Sequence, residues 1–199
     1  MTKNDLIELI LFFAYLTLTM NAFFAVSIIL ALVIHELGHV VFFKIYNYKI
    51  DKFKIGFFYG YVRPTEKINL PCYKEINLFF AGPLFNFMTA CACFIISMIF
   101  PTTIQYVVPL LTANLLMFVG NIIPVGLLDG GRIVLSIFNK FNLNKKILLC
   151  FQVFLVSAII TFVNIYFGIF LLFTLIMSLN LILDESCTEK HGELNYIKE

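Results

Sequence analysis

Residues 22–46 read AFFAVSIILALVIHELGHVVFFKIY. The run is apolar enough to cross a bilayer, yet it carries His35, Glu36 and His39 well inside it. An ionised carboxylate near the middle of hydrocarbon costs at least a few kcal/mol, so polar groups at that depth pair, line a wet cavity or bind something. How these three residues are accommodated decides both the fold and the chemistry.

The rest of the chain is equally apolar. Of its 199 residues, 61% are hydrophobic, 17% aromatic and 13% charged, and the mean hydropathy is +0.94. Those values exclude an ordinary soluble domain. Apolar runs at roughly 6–20, 22–46, 77–100, 105–123, 147–164 and 166–183 predict about six transmembrane helices, each needing about 20 residues to cross ~30 Å of hydrocarbon. The expected fold is an all-α polytopic membrane protein, with a small cytoplasmic β-hairpin between the second and third spans. The expected organisation is one membrane domain over 1–183, with the insert at 47–76 and an acidic tail at 184–199.

Charge distribution predicts the orientation, because cytoplasmic loops hold the excess of Lys and Arg. With six spans, all 14 basic residues fall on one side, from Lys3 through Lys44–Lys74 and Arg132–Lys146 to Lys190 and Lys198. The loops near Met20–Asn21, Phe100–Gln105 and Asn164–Tyr166 carry none. Both termini are therefore expected in the cytoplasm of a cell membrane. Twelve lysines to two arginines, with abundant Ile, Phe and Asn, fit an AT-rich bacterial genome. The net charge of +2 then reports topology, and the basic face that nucleic-acid binding needs is missing. The first hydrophobic stretch runs at once into a second with no small-residue cleavage site, so it does not read as a removed signal. Cys72, Cys91, Cys93, Cys150 and Cys187 are odd in number and scattered, which suits packing residues or free thiols.

The insert contains YKIDKFKIGFFYGYVRPT, in which Ile50, Phe53, Ile55 and Phe57 partly alternate with Lys52, Lys54 and Gly56. That pattern, closed by Arg63-Pro64, predicts a short hairpin at the membrane face. Two uses are open to it: an amphipathic interfacial loop, or a strand edge that pairs with an extended peptide.

On a helix, residues i and i+4 lie one turn apart on one face, so His35 and His39 can turn both imidazoles toward one ion. Neutral imidazoles suit Zn²⁺, and Glu36, beside the first ligand as H-E-x-x-H requires, can take a proton from the attacking water without coordinating the metal. The competing reading is a pair of histidines bonded to neighbouring helices with Glu36 paired to one of them, and the cost of burying all three groups favours the metal. A catalytic zinc needs a third protein ligand and one open position. Most of the twelve acidic residues fall in cytoplasmic segments; Asp129, in GNIIPVGLLDGGRI directly after the fourth span, is the candidate. Pro124 breaks the helix, and Gly126, Gly130 and Gly131 permit a close or unusual backbone path there. By itself Asp129 also fits an ordinary turn residue before Gly-Gly. The topology puts it at a depth comparable to the two histidines, on the cytoplasmic side.

HELGH at 35–39 followed about 90 residues later by NIIPVGLLDGGR, with AGPLFN at 81–86 between them, resembles the site-2 protease family of intramembrane zinc metalloproteases. The resemblance implies His35, His39 and Asp129 as zinc ligands and Glu36 as the catalytic base. It also points to Asn121 as an electrophilic helper near the scissile carbonyl, a residue that by itself reads as an interhelical hydrogen-bonding group. Asn86 reads as a helix-start or packing residue. The compact six-span plan, with FFYGYV in the insert and neither a PDZ nor a nucleotide-binding module, resembles the sporulation-type subgroup, which releases a transcription factor from a membrane-tethered precursor. The implied partners are a membrane-tethered protein substrate, a membrane regulator or inhibitor, and the lipid bilayer, without nucleic acid. No oligomeric state follows from the sequence.

Other functions are open to the same ligands: a metal carrier or sensor, or a catalytically silent membrane chaperone. Transport predicts a chain of His and carboxylates along a pathway, and the predicted outer half has none. An intact Glu36 is superfluous to a merely structural zinc.

Overall fold

The computed structural model describes residues 14, 17–18, 21–55, 60–65, 70–126, 128–162, 168–169, 171–173 and 175–176, with backbone alone at 52–55, 60–64 and 160–162. It divides into two compact units, Met1–Ile122 and Ile123–Glu199.

In the first unit, α1 (Ala22–Ile45) begins where Asn21 caps it, the side-chain oxygen accepting from the Phe24 N–H at 2.9 Å. An N-cap acceptor satisfies one of the donors that a first turn leaves unpaired. The helix ends at Asn47, whose φ of 61° lets the Tyr48 N–H reach back to the Phe43 carbonyl and the Asn47 N–H to that of Lys44. This is the Schellman closure, with Asn in the left-handed position usually held by Gly. Two strands follow, β1 (Ile50–Ile55) and β2 (Gly60–Pro64), paired antiparallel with an irregularity between Ile50 and Lys52.

The helix α2 (Cys72–Ile99) starts after Pro71, a 3-10 turn at Pro101–Thr103 reverses the chain, and α3 (Ile104–Ile122) returns. The predicted third span began at 77, whereas the helix begins five residues earlier. Hydropathy finds the part that lies in lipid, and backbone bonding continues through the polar turn at Lys74–Glu75. The three helices pack on one another. At Gly38 the helices meet closely: a Cβ there would lie 2.5 Å from the Ala81 carbonyl oxygen and 3.0 Å from the Gly82 Cα. Small residues let membrane helices meet backbone to backbone, where dispersion and polar contacts hold them together. Edge-on Phe23–Tyr106 and tilted Phe87–Phe118 ring pairs, with centroids 5.3 and 5.0 Å apart, tie α3 to its two neighbours.

Among the described residues, three helical stretches are long and apolar enough to cross a membrane: Ala22–Ile45, Cys72–Ile99 and Pro101–Ile122. Their outward faces carry Phe94, Met98, Ile99, Leu116 and Val119, each more than half exposed. Such a surface is stable in lipid and unfavourable in water. The predicted spans at 6–20 and 166–183 lie largely outside the described residues, as does the tail.

In the second unit, α4 (Asp129–Lys140) contacts α5 (Lys145–Phe162), and Val156 of α5 gathers with Val125, Leu171 and Leu175 into a core against which Leu149, Leu155 and Ile159 pack. Ile123–Gly126 is irregular: the Val125 N–H bonds to the Ile123 carbonyl at 2.8 Å, making a tight turn about Pro124. Gly126 sits at φ 55°, where a Cβ would be strained.

Candidate metal centre

His35, Glu36 and His39 are all buried in α1, 3–9% exposed. The ring nitrogens show what each imidazole can do. His39 Nδ1 lies 2.9 Å from the Leu78 backbone carbonyl, which only accepts, so Nδ1 carries the proton. His35 Nδ1 lies 2.7 Å from Asn86 Oδ1 and likewise donates. Both Nε2 atoms then carry lone pairs, and they lie 3.3 Å apart with the rings edge to face. Two imidazole lone pairs converging at that distance are the geometry of two ligands on one cation, each with its other nitrogen bonded to an orienting acceptor.

The adjoining helix leaves room there. A Cβ on Gly82 would stand 2.5 Å from His39 Nε2 and 2.7 Å from His35 Nε2, so the absence of a side chain at 82 keeps the donor atoms accessible. The donor set and the space beside it fit Zn²⁺.

AGPLFN contributes this gap and one thing more. Asn86, read from the sequence as a helix-start or packing residue, does not start a helix: it lies within α2, fully buried. Its Nδ2 donates to the Ala31 carbonyl at 2.9 Å and to Asn114 Oδ1 at 2.8 Å, while its Oδ1 accepts from His35. Asn114, also fully buried, was not singled out by sequence reasoning. The available signal was its amide in an otherwise apolar span, TANLLMF.

Asn121 lies in the last turn of α3, half-buried, its Nδ2 donating to the Met117 carbonyl at 3.0 Å. Asp129, in the second unit, is 7% exposed. Rather than closing a span in a Gly-Gly turn, it opens a new helix: Leu128 is the cap, Asp129 occupies the first turn, and Gly130 and Gly131 are helical. A carboxylate in that position is favoured by the unpaired N–H groups of the first turn. Gly131 packs without a side chain against the Gly126 carbonyl and Val125, so the irregular link folds back on the helix it precedes.

Comparison with known proteins points the same way. Residues 23–111 match the sequence profile of peptidase family M50, a segment containing His35, Glu36, His39 and Asn86. The chain is 30% identical over 132 residues to stage IV sporulation protein FB of Bacillus subtilis, covering 62% of this chain and 46% of that protein. It is 36% identical over 126 residues to a zinc metalloprotease of Methanocaldococcus jannaschii, covering 60% of this chain and 36% of the relative. The chain thus spans less than half the length of either relative. Among solved structures it resembles the site-2 protease from Methanocaldococcus jannaschii with a TM-score of 0.65 and 27% identity, over 86% of this chain and 88% of that one. Residues 23–111 therefore match peptidase family M50, in a chain that shares the fold of the site-2 protease from Methanocaldococcus jannaschii.

Proposed function

We propose that the protein is an intramembrane zinc metalloendopeptidase that cleaves a membrane-tethered protein within or beside its transmembrane segment and releases a cytoplasmic factor. The observation that carries this reading is the convergence of two buried imidazole Nε2 atoms at 3.3 Å, beside a buried carboxylate one residue along the same helix. A carrier or a silent scaffold has no use for that carboxylate.

In this reading His35, His39 and Asp129 hold the metal and leave a fourth position open. Zn²⁺, when bound, supplies the Lewis acidity that makes water a nucleophile near neutral pH and polarises a carbonyl. Glu36 takes the proton from the attacking water and returns it to the leaving amine. Asn121 turns its Nδ2 from the Met117 carbonyl toward the developing oxyanion. A peptide bond inside an intact helix is shielded and its carbonyl is bonded, so the substrate must first unwind near the cut. Gly or Pro there lowers that cost. The β1–β2 pair is the edge on which the extended segment lies.

The same proposal has six spans, both termini cytoplasmic and the strand pair at the cytoplasmic membrane face, in a bacterial cell membrane. Water enters past the irregular link at Ile123–Gly126. A membrane regulator that occludes the site is part of this reading.

Glu36→Gln tests it. The amide keeps the shape but cannot accept a proton, so zinc content is retained while cleavage of a co-expressed tagged single-span substrate falls by ~10²–10⁴, to background. Cleavage at the wild-type rate in Glu36→Gln would overturn the mechanism. A carrier would show no chelator-sensitive cleavage and a metal flux indifferent to the change.

A further inference from the structure

Both histidines must present Nε2 as a lone pair to hold one cation, and the chain secures this in two different ways. For His39 the Leu78 backbone carbonyl suffices, because it can only accept. For His35 the partner is an amide, whose oxygen and nitrogen could exchange places by a flip. A flipped Asn86 would offer N–H to His35 Nδ1, drive the ring proton to Nε2 and block that ligand.

The hydrogen-bond network, which ends on backbone carbonyls, excludes the flip. The Leu110 carbonyl, 2.8 Å from Asn114 Nδ2, can only accept, so the nitrogen of Asn114 is on that side. Its oxygen then faces Asn86, 2.8 Å away, and must accept from Asn86 Nδ2. The Ala31 carbonyl independently takes the other hydrogen of the same Nδ2 at 2.9 Å. With both hydrogens of Asn86 committed, only its oxygen remains for His35 Nδ1 at 2.7 Å. Asn86 and Asn114 are fully buried, so water does not compete for these bonds.

We propose that Asn86 and Asn114 are positioning residues, an amide relay anchored on the Leu110 and Ala31 carbonyls that holds His35 as its Nδ1–H tautomer with Nε2 ready for the metal. The inference rests on the zinc reading of the histidine pair. It extends to Asn114, which lies beyond the matched residues 23–111.

The test uses the full chain in detergent with ring-¹⁵N histidine; the chain has three histidines, so single substitutions assign the signals. In metal-free wild type, His35 Nδ1 resonates as a protonated ring nitrogen and Nε2 as a lone-pair nitrogen. Asn86→Leu shifts His35 toward the Nε2–H form and weakens zinc binding, measured by chelator competition, by about 10–100-fold. Asn114→Leu moves both readouts in the same direction and by less. Asn114→Asp restores both, because its carboxylic acid form donates to Leu110 and accepts from Asn86 as the amide does. Asn114→Leu that is folded, with wild-type helicity and dispersity, yet matches Asn114→Asp in tautomer and zinc affinity would overturn the relay, whether or not Asn86→Leu folds. A wild-type chain that binds no zinc while keeping the tautomer contrast overturns the metal reading and leaves the relay standing.

Discussion

Gly82 is the residue on which the space at the histidine pair depends most directly. A methyl there would meet His39 Nε2 at 2.5 Å and His35 Nε2 at 2.7 Å, and neither ring can swing away without breaking its Nδ1 bond. Gly82→Ala is therefore expected to abolish zinc retention, read by metal analysis of purified protein, while leaving the helical circular dichroism near wild type. Zinc retained in full by Gly82→Ala would mean that the metal approaches from another side. The histidine spacing was legible in the sequence because i to i+4 is a property of one helix. The roles of Asn86 and Asn114 were not, because their partners lie 51 and 28 residues away along the chain, and an amide in an apolar run does not say what it faces.

At the scale of elements, two helices end on an asparagine in the left-handed region, Asn47 at φ 61° and Asn142 at φ 49°. Beyond α4 the Leu143 N–H bonds to the Phe138 carbonyl at 2.9 Å and the Asn142 N–H to that of Asn139, the same closure that ends α1. Replacing Asn142 with Ala forces a Cβ without Asn's local compensation into that conformation and is expected to cost about 1 kcal/mol, whereas Gly should be neutral or slightly stabilising. Chemical denaturation of the two variants in detergent, followed by circular dichroism, checks the order. Apolar length located α1 correctly. It missed the start of α2 at Cys72, and local reading missed the helical state of Gly130-Gly131, because a polar first turn carries no hydropathy signal and a Gly pair reads locally as a turn.

For the whole molecule, the one-sided distribution of 14 basic residues underlies the proposed orientation. Reporter fusions after Tyr48 and after Lys140 should report cytoplasm, and one near Thr103 the exterior; any one of them reversed breaks the six-span arrangement. Within the first unit, the Lys74 ammonium rests over the Tyr46 ring at 5.4 Å, a cation and an aromatic at the ends of adjacent helices, as an interfacial belt requires. What the sequence alone determined was whatever depends on composition and local periodicity: that the chain is a membrane protein, roughly where the three apolar spans of the first unit run, and that His35 and His39 share a face with Glu36 between them. Tertiary structure decided which nitrogen of each histidine holds its proton. That depends on α1 and α2 meeting closely enough at Gly38 and Ala81–Gly82 for Leu78 and Asn86 to reach the rings, and on α3 presenting Asn114, and such distances come from packing three helices together, which no single helix encodes.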